Sequence, residues 1–88
     1  MTVKSLEALS LSKLISHRLE AFFGSHADSL PINLYETILE QVESPLIIQT
    51  LRITHGNQMK AADILGLNRN TLRKKIKFFK IDPADYKQ

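Results

Sequence analysis

GNQMKAADILGLNRNTLRKKIKFFK, residues 56–80, decides how the rest of the chain is read. Asn57 is a good N-cap, and Gln58 to Leu65 is long enough for about two helical turns. Gly66 then falls where the chain must turn sharply, a place that favours left-handed backbone. Asn68 caps a second helix, which is expected to run through about Phe79 before Asp82-Pro83 forbids its continuation. Two helices joined by a short turn containing glycine form a helix-turn-helix unit.

The two sides of this unit differ in kind. Ala61 and Ala62 are small enough to let helices cross closely, and Leu65 and Leu67 flank the turn. Leu72, Ile76 and Phe79 recur on one stripe of the second helix. At the helical rotation of about 100° per residue, Asn70, Arg73, Lys74 and Lys77 lie opposite that stripe, with Arg69 at its margin. One face packs and the other is offered to a partner. A basic helix that opens with Arg and Asn suits the major groove of DNA, where Arg pairs with guanine O6 and N7 and Asn with adenine N6 and N7.

Charge is distributed to match. The 88 residues carry a net +3. Residues 1–55 hold Lys4, Lys13, Arg18 and Arg52 against Glu7, Glu20, Asp28, Glu36, Glu40 and Glu43. Residues 56–88 hold eight Lys or Arg against Asp63, Asp82 and Asp85. The asymmetry points to a polyanion as the partner of the second part. A solvated charged helix is the plain alternative, and the caps, turn and packing stripe around the charge argue against it.

Chemistry of other kinds finds no residues to work with. Cysteine is absent, which excludes disulfides and thiol catalysis. His17, His26 and His55 share no ligand spacing, so no metal is expected. No phosphate-binding glycine loop, nucleophile elbow or zinc-protease motif occurs, so no catalytic residue and no cofactor are assigned. Glu36, Glu40 and Glu43 line one helix face and read as solvation. No apolar run approaches the roughly 18 residues that span a bilayer, so no membrane is implied. The first residues lack the marks of a signal peptide, and a cytoplasmic location is expected.

Upstream, Met1 to Lys4 should be loose and a first helix should occupy about residues 5–23, with Leu11, Leu14, Ile15, Leu19, Phe22 and Phe23 as its apolar band. Gly24 is expected to end it, followed by a polar connection to Pro31. Asn33 and Glu36 form a variant capping box opening a second helix, about residues 34–54. That helix is apolar around much of its circumference: Leu34, Tyr35, Ile38, Leu39, Val42, Leu46, Ile47, Ile48, Leu51 and Ile53. Such a helix must be covered on several sides, and a second copy of the chain is the natural cover. Pro45 admits two readings: one helix kinked near Gln41 to Pro45, or two helices with Ser44 as cap and Pro45 in the first turn. The tail, IDPADYKQ, shows no pattern of its own, and Tyr86 either packs back or stays free.

The stretch 56–80 resembles the DNA-binding helix-turn-helix of the Fis family, whose branches are free-standing nucleoid proteins and the C-terminal domains of NtrC-type response regulators. GLNRNTLRKKI (66–76) carries the likeness most specifically, and LYETILEQVESPLI (34–47) resembles the helix that precedes it in the family. The likeness covers about residues 14–81. It implies an all-α protomer of four helices. The pair at about 5–23 and 34–54 dimerises, and the helix-turn-helix at about 58–65 and 69–79 meets double-stranded DNA. It also implies one long bent helix through Pro45, a homodimer whose recognition helices are set too close for straight DNA, and therefore a bent duplex. Asn57, Asn68, Arg69, Thr71, Arg73, Lys74 and Lys77 stand at DNA-contacting positions of the family, and by position Gln58 and Asn70 join them. Lys75 projects nearer the packed stripe. Met59, Phe78, Phe79 and Lys80 depart from the Fis pattern, Lys80 replacing a glycine. Few residues precede the first helix, so an arm contacting recombinases is not expected. Three functions follow, in order: a DNA-bending transcription regulator, with the transcription machinery as a further partner; the DNA-binding domain of an NtrC-type sigma-54-dependent activator; a helical dimer or adaptor that binds no DNA.

Overall fold

The computed structural model describes residues 3–87, with side chains for residues 10–87. Among them the chain forms four α-helices and one short 3-10 helix: α1 (Val3–His26), α2 (Leu34–Ile53), α3 (Gln58–Leu65), α4 (Arg69–Phe78), then Pro83–Tyr86. It divides into two compact units, residues 1–34 and 35–88. No helix is long and apolar enough to cross a membrane, among the described residues.

In the first unit α1 extends further than expected at both ends. Lys4 is helical rather than loose, because no Gly or Pro nearby stops the helix from propagating; Met1 and Thr2 lie outside the described residues. Gly24 does not end the helix. Glycine in a helix interior costs only about 1 kcal/mol relative to alanine, and Gly24 keeps negative φ. The helix stops at His26, whose Nδ1–H donates to the Phe22 carbonyl at 3.1 Å. Its ring stacks on Phe22 with centroids 4.8 Å apart. The chain then turns, the Ser29 N–H donating to the His26 carbonyl at 3.1 Å.

The second unit is built on α2. This helix runs through Pro45 unbroken, so the single-helix reading holds and the Ser44-capped alternative does not. Burial of Ile47, Thr50 and Leu51 on one face outweighs the single backbone hydrogen bond that proline forfeits. The two threonines of that face are satisfied within the helix: Thr50 Oγ1 donates to the Leu46 carbonyl at 2.8 Å and Thr54 Oγ1 to the Thr50 carbonyl at 2.9 Å. Ile47 and Leu51 meet Ala61 and Ala62 of α3 and Leu72 and Ile76 of α4 in the core. Leu65, Leu67, Phe79, Ile81 and Tyr86 pack around them. Both alanines are almost fully buried, the close crossing that their size permits.

All three helices of this unit end in the same way. After α2, His55 donates to the Arg52 carbonyl (3.2 Å) and Gly56 to the Leu51 carbonyl (2.8 Å). After α3, Gly66 and Leu67 donate to Asp63 and Ala62; after α4, Lys80 and Ile81 donate to Lys77 and Ile76. Each is a Schellman motif with a left-handed residue after the last turn: His55 at φ 53°, followed by Gly56 at φ 81°; Gly66 at φ 72°; and Lys80 at φ 56°. Lys80 therefore holds a lysine in the left-handed backbone that glycine adopts without strain. Because Phe79 is the C-cap, α4 is one residue shorter than expected.

The tail is ordered, contrary to its lack of pattern. Asp82 caps the Pro83–Tyr86 turn through the Ala84 N–H, 3.0 Å, with proline in its first turn. The Asp-Pro pair that stops α4 is also a start signal for the next turn. Tyr86 packs on the core, and the Arg52 guanidinium lies 5.5 Å from its ring centroid. Pro83 closes over the turn after α2: a Cβ built on Gly56 would stand 2.5 Å from the Pro83 carbonyl oxygen. Gly66 has no atom in the same test space. Gly66→Ala is therefore expected to cost only the left-handed backbone, about 1–2 kcal/mol. Gly56→Ala, also at positive φ, should cost clearly more. Equal shifts of the urea midpoint for the two variants would show that the tail yields freely.

Candidate nucleic-acid interface

The expected contact residues sit on the second unit in two groups. Asn68 leaves the preceding turn in extended backbone, φ −62° and ψ 141°, and its side-chain oxygen accepts the Asn70 N–H at 2.8 Å. Asn57 starts α3 likewise, accepting the Lys60 N–H at 3.1 Å. Both asparagines are caps with the carbonyl oxygen engaged and only the amide NH2 left to donate. Asn70 is exposed and its side chain is in no hydrogen bond among the described residues, so it keeps both the acceptor and the donors that a bidentate contact uses.

Arg69, Asn70, Thr71, Arg73, Lys74 and Lys77 are all exposed, whereas Leu72 and Ile76 between them are buried. The amphipathic division of α4 is thus as complete as its spacing requires. No acidic residue lies in its first turn, which leaves the positive end of the helix dipole open to an anion. Gln58, half-buried at the start of α3, is brought together with Arg73, Lys74 and Lys77 across a shallow groove floored by Ile76, Ile81 and Pro83. Arg69, Asn70 and Thr71 lie outside that groove, at the leading end of α4. A phosphate in the groove would meet the α3 N-terminus and three side-chain cations together.

Two features of the site escape sequence reasoning. Lys75, half-buried beside the packed stripe, donates from Nζ to Glu43 Oε2 at 2.7 Å, the only ion pair among the described residues. Glu43 is therefore a partner in an inter-helix bond, not merely a solvated carboxylate. The signal is invisible locally, since the two residues are far apart in the chain. Ile81 and Pro83 form part of the groove floor, a role that the Asp82-Pro83 start signal would have suggested. Phe78 is 66% exposed and meets the Phe79 ring edge-on at 5.1 Å.

A capped helix-turn-helix that buries one face of its second helix and exposes cations on the other defines the class: a helix-turn-helix protein. Residues 38–79 match the pattern of the bacterial regulatory proteins of the Fis family. The chain is 35% identical over 81 residues to the DNA-binding protein Fis of Mannheimia haemolytica, covering 88% of this chain and 83% of that protein. It is 44% identical over 66 residues to a putative Fis-like DNA-binding protein of Neisseria meningitidis, covering 75% and 84%. To the DNA-binding transcriptional regulator NtrC of Rhizobium meliloti it is 51% identical over 71 residues, 80% of this chain but only 15% of that regulator's length. The chain belongs to the Fis family. No solved structure matches it.

Proposed function

We propose that this chain binds double-stranded DNA as a symmetric dimer, bends it, and thereby regulates transcription in a bacterial cell. The observation that carries this reading is the exposed face of α4, with Arg69, Arg73, Lys74 and Lys77 in no ion pair among the described residues above buried Leu72 and Ile76. Arg69 and Asn70, assisted by Asn68 and Arg73, read base edges. Thr71, Lys74 and Lys77, with Asn57 and Gln58 at the α3 N-terminus, hold phosphates. The role is one of binding, with no catalytic step, cofactor or metal.

The dimer draws support from α2. Tyr35, Leu39, Val42, Leu46 and Ile53 are exposed in the single chain, Tyr35 by 80%. They recur at steps of four, three, four and seven residues, the heptad spacing of a helix-helix seam. Leu11 and Leu14 of α1 are exposed as well. Covering these side chains with a second copy pairs two helix-turn-helix units, which then read a two-fold site and contact the transcription machinery from it. A second reading is favoured by the 51% identity to NtrC over a small part of that regulator: the chain acts as the DNA-binding domain of a sigma-54-dependent activator. A native product several times longer than this chain would select it.

The test is gel retardation on duplexes selected from random-sequence DNA, with the site circularly permuted along the probe. Position-dependent mobility is expected. Arg69→Ala should relax base preference by about 1–3 kcal/mol at one position. Retention without position dependence removes the bend, and no retention at low salt leaves a helical adaptor.

A further inference from the structure

The core of the second unit gathers where Leu51 and Ile47 of α2 meet Leu72 and Ile76 of α4. Beyond it the two helices are not packed together. An open groove of about 520 Å³ lies between them, with Glu36, Leu39 and Glu40 on the α2 wall and Lys74, Phe78 and Phe79 on the other. Phe78 remains exposed there, so its ring does not close the gap. At the head of the groove stands the Lys75–Glu43 pair, at 2.7 Å. Glu43 lies one turn before Ile47 on the 43, 47, 51 stripe, and Lys75 directly precedes Ile76. The pair is thus the polar extension of the core contact, and it bridges the point where the helices begin to part.

We propose that Lys75 and Glu43 are positioning residues that fix the tilt of α4 on α2. In a dimer built on α2, the tilt sets the separation of the two recognition helices and so the bend imposed on the duplex. A short apolar contact acts as a fulcrum: it resists separation but only weakly resists rocking, because sliding side chains keep most of their burial. A directional charge-assisted hydrogen bond placed off the fulcrum resists rocking. The side chains are 31% and 35% exposed, so the pair contributes little to overall stability. Its effect falls on geometry. It also withdraws Lys75 from phosphate contact, in contrast with its neighbour Lys74, which is exposed and in no ion pair among the described residues.

This inference rests on the proposed dimer and bend, and its test separates the two. The chain has no cysteine, so nitroxide labels can be placed at Thr37→Cys on α2 and Lys80→Cys after α4, both exposed. Labelled chain is diluted with unlabelled chain, and the distance distribution is recorded by pulsed electron resonance without DNA. Lys75→Gln is expected to broaden the distribution while the melting temperature stays near the parent's. Glu43→Gln should broaden it less, because Glu40 stands on the same wall one turn away. The exchange Glu43→Lys with Lys75→Glu should restore the parent width. On a duplex selected by the parent chain, Lys75→Gln should reduce the bend and weaken binding by about threefold, the size expected of a half-exposed pair, at unchanged salt slope. The exchange should restore both. An unchanged distribution in Lys75→Gln overturns the tether, as does a salt slope that falls as it does for Lys74→Ala. A parent chain that binds no duplex overturns the proposed function instead, while the distances still decide the tether.

Discussion

Replacing Arg73, Lys74 and Lys77 together with alanine is expected to abolish duplex binding at physiological salt while leaving the fold intact. All three side chains are exposed on α4, and none takes part in the ion pair of this structure. Alanine at such positions keeps or raises helix propensity, so the melting temperature should hold or rise slightly. On DNA the effect is large, because each phosphate contact releases close to one counterion. Lys74 and Lys77 hold phosphate, so the logarithmic salt slope should shrink by about 0.9 for each, or close to 2 per protomer, while the loss of Arg73 removes a base contact. Summed over a dimer and extrapolated to about 0.15 M salt, affinity should drop by roughly three to four orders of magnitude. Lys74→Ala alone should remove about one unit of slope per protomer. Fluorescence anisotropy across a salt series, beside a thermal melt, is the measurement. A triple variant with the parent's slope would mean that this face of α4 does not meet phosphate.

Leu72→Ala should do the opposite, leaving the charges in place and removing their support. Leu72 is 0% exposed and lies at the centre of a core of six buried apolar side chains. Truncating such a leucine costs about 2–5 kcal/mol, the transfer term plus the cavity left behind. Domains of this size are stable by only about 5–15 kcal/mol in total, so a substantial part of that margin disappears. Urea denaturation should show the loss directly. Ile64→Ala, on the outer side of α3 with the side chain 60% exposed, should stay within about 0.5 kcal/mol of the parent. Duplex binding by Leu72→Ala should weaken in proportion to the unfolded fraction, with the salt slope of the folded fraction unchanged. Affinity and stability thus fall together for Leu72 and separately for the cations. A Leu72→Ala variant as stable as Ile64→Ala would mean that the core beneath α4 does not hold it.

The left-handed backbone at His55 and Lys80 bears on both results. These residues terminate α2 and α4 with the motif that Gly66 uses for α3, so their geometry is imposed by the helices on either side and not by the residue itself. Lys80 stands where the resemblance to Fis implies a glycine. A lysine there adds a cation just past α4 at the expense of backbone strain.

Local chemistry, which is written in neighbouring residues, was settled by the sequence alone. Asn57 and Asn68 cap their helices, Gly66 turns left-handed, and the alternation of Leu72 and Ile76 with Arg73, Lys74 and Lys77 divides α4 into a buried and an exposed face. Each depends on groups within four residues of one another, the range over which capping and helical spacing act. Tertiary structure decided the rest. Helix α2 passes through Pro45, because the burial of Ile47 and Leu51 outweighs the local penalty of proline. The tail folds into a turn whose carbonyl occupies the space that a side chain on Gly56 would need. Glu43 and Lys75, unremarkable in sequence, meet only because the Ile47–Leu51 stripe of α2 lies against Leu72 and Ile76 of α4. Contacts between residues distant in the chain depend on which faces the core has already brought together, and no run of neighbouring residues carries that information.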